Sequence, residues 1–321
     1  MATVVVTRAL VSGADQLEGH DVRTWEEDRP IPRDVLESWI GDAEGLLCML
    51  TDRIDDELLG AAPRLRVVSQ CAVGVDNIDV GACTRRGLPV GHTPDVLTET
   101  TADTAFALLA AATRRIPEGM SEVSRGLWQE WSPDHLLGGD LHGSTVGIVG
   151  LGRIGSAVAR RAQGFDMRVL YTGPARKPLL ESRLLVGFRS FEDLLGECDS
   201  IVITAPSRDS TRRMFDRKAF ERMRSHAILV NVSRGDLVDT DALVWALQTG
   251  RIGGAALDVT DPEPIPADHP LVGLPNCLIV PHIGSASRRT RAAMSELAVA
   301  NLLAGLEERK LRACANPAVY G

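Results

Sequence analysis

The stretch TVGIVGLGRIGSAVARRAQ at positions 145–163 decides how the rest of the chain is read. A strand-like run, Thr145 to Val149, passes into Gly150-Leu151-Gly152-Arg153-Ile154-Gly155, and the residues from Arg153 to Gln163 have helix character. Glycines suit such a junction because the chain must turn tightly, let its backbone approach a pyrophosphate and pack the helix close to the sheet, while the helix N-terminus offers N–H groups and the positive end of its dipole. A glycine-rich turn of purely structural purpose is the plainer alternative. The strand before, the helix after and a second strand at Met167–Tyr171 favour a dinucleotide site. A site built for NAD carries an acid near the end of that second strand. Here the strand closes as Leu170-Tyr171-Thr172-Gly173, with Arg176 and Lys177 following. A hydroxyl and two cations suit a 2′-phosphate where an acid would repel it, so NADP(H) is favoured and NAD(H) is the alternative. As a structural feature alone, Arg176 and Lys177 would form a solvated loop.

Outward from this turn, short apolar runs alternate with helical stretches along nearly all of the 321 residues, the pattern of parallel α/β architecture. One strand series reads Val4–Thr7, Asp21–Trp25, Gly45–Leu50, Arg66–Gln70 and Pro89–Gly91, with helices at Asp34–Ile40 and Asp55–Ala61. The alanine- and leucine-rich segment from Thr98 to Ile116 predicts one long helix. A second series follows at Thr145–Gly150, Met167–Tyr171, Ser200–Thr204, Ala227–Val232, Gly254–Val259 and Leu278–Pro281, with a helix at Asp239–Gln248 and a last one from Ser287 to Leu306. This bracketing predicts two doubly wound parallel-sheet domains: residues 1–98 with 288–321 as one, and 99–287 inserted as the other.

Composition narrows the chemistry. The formal charge of −8 offers no footprint for nucleic acid or an anionic membrane, and small-molecule partners are expected. Only Lys177, Lys218 and Lys310 are lysines among 35 basic side chains, and none follows a glycine as a Walker-type phosphate loop requires. The fourth residue after Tyr171 is Ala175, so a Tyr-x-x-x-Lys pair is absent there as well. The six cysteines form no C-x-x-C pair and no zinc spacing, so no metal site is expected; most are read as reduced core thiols inside apolar strands. With no signal-like start and no membrane-length apolar run, the chain reads as cytoplasmic.

Ligands in a doubly wound sheet gather at the carboxyl ends of strands. Three reactive side chains fall there: Arg234 after AILVNVS, Glu263 in DPEP past the strand ending at Val259, and His282 closing LIVPH. Singly, each has a plain reading as a surface ion pair, a loop residue or a polar strand cap. Together, beside a nucleotide turn, they match the reduction of a 2-oxo acid. A histidinium donates a proton to the carbonyl oxygen, a carboxylate holds the ring and favours its charged form, and a guanidinium grips the substrate's carboxylate. Among the other histidines, His269 in the Pro-rich segment is the closest rival for the proton-donor role.

The motifs GLGRIG (150–155), NVSRGDLVD (231–239), ALDVTDPEP (256–264) and PHIGSAS (281–287) resemble the D-isomer-specific 2-hydroxyacid dehydrogenase family. GHTPDVLTETTADTAFALL (91–109), the pair Trp128 and Trp131, VLYTG (169–173) and NLLAGL (301–306) resemble its glyoxylate/hydroxypyruvate reductase branch. The resemblance implies a Rossmann coenzyme domain inserted in a flavodoxin-like substrate domain, closing about the segments 98–116 and 287–306. It implies that Arg234, Glu263 and His282 are catalytic, and that the backbone of Val73 and Gly74 in CAVGVDNID receives the substrate's carboxylate. Ser285 lines the substrate site, while Gly150, Gly152, Arg153, Ile154, Gly155, Thr172, Val232, Asp258 and Gly284 fall on the cofactor side. Residues 174–177 match the stretch that meets the NADP phosphate; Pro174 stands where the branch has Arg, which leaves that contact to Arg176 and Lys177. An arm carrying Trp131 is implied to join two subunits as a homodimer and to limit substrate size. The expected reaction is reduction of glyoxylate to glycolate and of hydroxypyruvate to D-glycerate. Phosphoglycerate or longer 2-oxo acids are the alternative substrates, and a nucleotide-sensing binding module is the non-enzymatic alternative.

Overall fold

A computed structural model describes all residues, Met1 to Gly321, and divides them into two compact units. One comprises Met1–Leu97 with Ala286–Gly321, the other Thr98–Ser285. No helix is long and apolar enough to cross a membrane.

The first unit contains β1 (Thr3–Val6), β2 (Asp21–Thr24), α1 (Arg33–Ile40), β3 (Gly45–Cys48), α2 (Asp56–Gly60), β4 (Val67–Gln70), α3 (Val80–Arg85) and β5 (Val90–Gly91). The strands pair in parallel in the order β2-β1-β3-β4-β5, the flavodoxin-like order. Strands covered on both faces need continuous apolar runs, which is why β1 reads TVVV and β3 GLLC. Asp55 and Asp79 start α2 and α3 by accepting from Leu58 N and Ala82 N. A late helix of the chain, Arg288–Leu306, returns to cover this sheet. It lies so close that a Cβ on Gly305 would stand 2.4 Å from Val67 and one on Gly45 would stand 2.9 Å from Leu302. The C-terminal tail is tied to the sheet edge by Asn316, whose Oδ1 accepts from Val90 N and whose Nδ2 donates to Leu88 O.

The second unit opens with α4 (Thr98–Thr113) and α5 (Ile116–Ser124), where one unbroken helix to Ile116 was expected. The break has a local cause: Arg115 adopts a left-handed conformation (φ 53°), and Pro117, lacking an N–H, suits only the first turn of a new helix. There follow β6 (Thr145–Val149), α6 (Arg153–Gln163), β7 (Arg168–Thr172), α7 (Pro178–Leu184), β8 (Gly187–Phe188), α8 (Phe191–Glu197), β9 (Ser200–Ile203), α9 (Arg217–Arg222), β10 (Ile228–Asn231), α10 (Thr240–Gln248), β11 (Gly254–Leu257) and β12 (Cys277–Ile279), and the Arg288–Leu306 helix is α11. All seven strands are parallel, in the order β12-β11-β10-β9-β6-β7-β8. The order reverses direction between β6 and β9, the switch point at which α/β sheets place ligands. One apolar core, around Phe106, Ile148, Val158 and Tyr171, lies on the α4 and α6 side. A second, around Leu194, Phe215, Phe220 and Leu243, lies on the α8–α10 side.

The six cysteines are free thiols, but only Cys48 and Cys277 lie in strands; Cys83 is in α3, Cys198 ends α8, and Cys71 and Cys314 are in loops. Burial pushes the thiol of Cys277 up to about 12, which makes it an unreactive core residue.

Candidate active site

The glycine turn shows why each glycine is there. Gly150 has φ 99°, and a Cβ on it would stand 2.7 Å from Ala205 N. Gly155 faces Gly150 O at 2.3 Å from an ideal Cβ, so any side chain would lift α6 off the sheet. Gly152 is different: nothing lies within 4 Å of its absent Cβ, and its helix has no side-chain cap. An uncapped N-terminus with open space before it fits a pyrophosphate. Arg153 and Ile154 begin α6, where Ile154 packs its side chain on the core and can offer its backbone to a ligand. These residues fit a nicotinamide dinucleotide, with Gly152 leaving room for the phosphates.

At the end of β7, Thr172 is buried and its carbonyl accepts from Gly150 N at 3.0 Å, tying the second strand to the turn. Lys177 reaches across to the same turn, its Nζ donating to Leu151 O at 2.8 Å. Arg176 makes an ion pair with Glu181 of α7, with Nη2 2.7 Å from Oε2.

The three strand-end residues lie beyond neighbouring strands of one sheet: Arg234 past β10, Glu263 past β11 and His282 past β12. His282 Nδ1 and Glu263 Oε1 are 2.6 Å apart, which fixes the ring and leaves Nε2 for other work. Burial works against a charge on Glu263. The hydrogen bond and charge of His282, with the Thr260 N–H and Arg234, outweigh it and hold the carboxyl below its ordinary value. His282 sits at φ 52°, a backbone region that costs a non-glycine residue energy and recurs where a side chain must be aimed.

That conformation is held by Asp258, at the end of β11. Its carboxylate accepts from Ile283 N (2.6 Å) and Gly284 N (2.8 Å), and its carbonyl accepts from His282 N (2.9 Å). Gly284 must be glycine, since a Cβ would stand 2.7 Å from Asp258 Oδ2. Thr104 of α4 completes the bracket by donating to Gly284 O. Burial pushes the Asp258 carboxyl up, against the two N–H donors that lower it. Ser285 follows directly in this loop.

Arg234 has a similar frame. Asn231, buried at the end of β10, donates to Arg234 O at 2.8 Å and accepts from Ser233 N. Gly235 packs so tightly on the Thr260–Asp261 backbone that a Cβ would lie 2.0 Å from Thr260 O, which joins the Arg234 loop to the loop of Glu263. Val232, buried beside them, donates from its N–H to Ile203 O. Sequence reasoning did not single out Asn231, Gly235 or Thr104. A polar residue at the end of an apolar strand is the signal that would have found Asn231.

The remaining histidines have other partners. His269 Nδ1 accepts from Leu271 N, so the nearest rival to His282 is engaged within its own turn. His226 meets Asp199, His135 meets Glu122 and His142 meets Asp166. A cavity of about 460 Å³ beside Arg115, Glu118, His226 and Asn276 opens at the amino ends of β10–β12, whereas Arg234, Glu263 and His282 lie past their carboxyl ends.

In the first unit, Val73 and Gly74 lie in the loop after β4. Gln70 Nε2 donates to Gly74 O (3.3 Å) and Asn77 Oδ1 (2.6 Å), and Asn77 Nδ2 donates to Met49 O (3.1 Å) and Asp52 O (2.7 Å). His92 Nδ1 lies 3.0 Å from Val73 O. A short loop is thus held at both ends by buried or half-buried polar side chains. Trp131 stands 79% exposed in the arm after α5.

Residues 106–284 match the sequence profile described as D-isomer specific 2-hydroxyacid dehydrogenase, NAD binding domain. The chain is 48% identical to the glyoxylate reductase of Thermococcus kodakarensis over 307 residues, covering 94% of this chain and 92% of that one. Among solved structures, a protein from Thermus thermophilus superposes with a TM-score of 0.91 at 47% identity, covering 98% of this chain and 99% of the other. The NADPH-dependent glyoxylate/hydroxypyruvate reductase of Sinorhizobium meliloti, solved with NADP and malonate, superposes with a TM-score of 0.83 at 31% identity over 98% and 96% of the two chains. A dinucleotide turn at the switch point, a paired His and Glu past adjacent strands, and this likeness along almost the whole length have one reading: the chain belongs to the D-isomer specific 2-hydroxyacid dehydrogenase family and is an oxidoreductase.

Proposed function

We propose that this enzyme reduces small 2-oxo acids with NADPH in preference to NADH, taking glyoxylate to glycolate and hydroxypyruvate to D-glycerate. The observation that carries the reading is the 2.6 Å contact of His282 Nδ1 with Glu263 Oε1 beside a dinucleotide turn. The names of the relatives support the substrate class. Bound nicotinamide supplies the hydride for the carbonyl carbon. His282, its Nδ1 engaged by Glu263, gives the Nε2 proton to the carbonyl oxygen as negative charge develops there, and regains a proton from solvent after the 2-hydroxy acid leaves. Arg234 holds the substrate's carboxylate as a planar, always charged fork. Val73 and Gly74 are proposed to receive the same carboxylate through their backbone, and Ser285 to line the substrate site. On the cofactor side, the turn from Gly150 to Gly155 takes the pyrophosphate, with Arg176 and Lys177 taking the 2′-phosphate. Val232, Asp258 and Gly284 shape the nicotinamide end.

The enzyme is proposed to work as a homodimer in the cytoplasm, a setting that suits six thiols without a disulfide. Ile116, Met120, Val123 and Leu127 form one exposed apolar face along α5 and just past it, and Trp128 and Trp131 extend it into the arm. A second copy of this chain is the partner that such a face suits. A panel of 2-oxo acids with both cofactors tests the function: kcat/KM is expected to be highest for glyoxylate and hydroxypyruvate with NADPH. A preference for phosphoglycerate or longer acids would overturn the substrate assignment.

A further inference from the structure

We propose that Glu181 sets the cofactor preference by competing with the 2′-phosphate of NADPH for Arg176. This rests on the reading of Arg176 and Lys177 as the phosphate contact. The end of β7 lacks the acid of an NAD site, yet the structure returns an acid to its neighbourhood from α7. Tyr171, wholly buried in β7, is the post on which this is built. Its hydroxyl donates to Glu181 Oε1 at 2.7 Å and accepts from Lys177 N at 2.7 Å. Glu181 in turn receives Arg176 on both oxygens, with Nε at 3.0 and 3.1 Å and Nη2 at 2.7 Å. Lys177 Nζ is drawn back onto Leu151 O of the glycine turn.

The carboxylate is the fixed partner and the guanidinium the movable one: the Glu181 side chain is 13% exposed, that of Arg176 67%. Arg176 and Lys177 bring two positive charges and Glu181 removes one. A 2′-phosphate, with a charge of about −1.5 to −2, must share Arg176 with a carboxylate or draw it away. A ribose hydroxyl carries no charge for Glu181 to repel. Glu181 therefore weakens NADPH selectively and keeps NADH within reach of the same enzyme.

The test is the dissociation constants of NADPH and NADH, read from intrinsic fluorescence, for the full-length wild type, Glu181→Gln, Arg176→Ala and the double variant. Glutamine keeps an acceptor for the Tyr171 hydroxyl but loses the charge. Glu181→Gln is expected to tighten NADPH by about three- to tenfold, with NADH moving less than about twofold and the gain shrinking in high salt. Arg176→Ala is expected to weaken NADPH and to abolish most of the effect of Glu181→Gln. An NADPH/NADH ratio that stays put or falls in Glu181→Gln would overturn the inference, as would equal tightening without Arg176. Glu181→Ala gives the same readout if the glutamine variant does not fold. If Arg176→Ala with Lys177→Ala leaves the ratio unchanged, the phosphate contact itself fails. Arg176→Ala lowering the ratio while Glu181→Gln does not raise it rejects the competition alone.

Discussion

His282, the proposed proton donor, sits in the most constrained part of the site, with Asp258 behind it. His282 is held in a left-handed conformation by hydrogen bonds that converge on Asp258, so the imidazole and the buried acid behind it are one unit. Asp258→Asn can replace only one of the two carboxylate acceptors and turns an amide toward an N–H. The loop 282–285 then loses its bracket, and kcat is expected to fall by about 10² or more while the protein remains folded, since one lost hydrogen bond costs only about 1–3 kcal/mol. Wild-type kcat with a shifted melting temperature would indicate a purely structural role.

Glu263 gives a pH test. Its carboxyl is held below the ordinary 4.5, so its pairing stabilises the folded state above about pH 4.5 and the benefit is lost as pH falls through the lower folded value. The stability gap between wild type and Glu263→Gln, measured by urea unfolding, is expected to be full above pH 4.5 and to close below it. A gap independent of pH would contradict the pairing.

At the scale of elements, the junction of β6 and α6 separates two uses of glycine that the motif presents as one. Gly155 faces Gly150 O and is needed for packing, whereas Gly152 faces open space, the room that the proposed pyrophosphate takes. Gly155→Ala is expected to cost about 1–3 kcal/mol of stability through overpacking. Gly152→Ala is expected to melt like the wild type but to bind NADPH at least about tenfold more weakly, as read by fluorescence titration. Equal stability losses in both variants would contradict this division. The motif's place between strand and helix was legible in the sequence because glycine spacing and apolar alternation are local properties. The supports were not: Thr104 meets Gly284 across 180 positions, and Gly235 meets Thr260 across α10 and β11, contacts that depend on tertiary packing rather than on spacing. The break between α4 and α5 was missed for a related reason, since the run of helix formers concealed a left-handed Arg115 before Pro117.

Across the whole molecule, every strand but the two-residue edge β8 was legible in the sequence, most of them as apolar runs because strands covered on both faces must be apolar throughout, whereas the edge strand β2 reads DVRT; the sheet orders rest on long-range pairing that no apolar run encodes. The candidate catalytic residues could be named from sequence since they are polar groups at the ends of apolar strands, whereas Glu181, marked only by its partners Tyr171 and Arg176, has no such sign in sequence. Met120→Glu with Val123→Glu, on the exposed apolar face of α5, is expected to shift the proposed dimer to monomer in light scattering, with each subunit still folded; a mass unchanged from that of the wild type would contradict this contact.

His282 is proposed to protonate the substrate oxygen in an NADPH-linked reduction of small 2-oxo acids. Steady-state NADPH oxidation with glyoxylate and with hydroxypyruvate, by wild type and His282→Ala in parallel, tests it most directly. Turnover by the wild type is expected, with a loss of about 10²–10⁴ in kcat for the variant and its NADPH dissociation constant preserved. An inactive wild type, or a His282→Ala enzyme turning over near the wild-type rate, would contradict it.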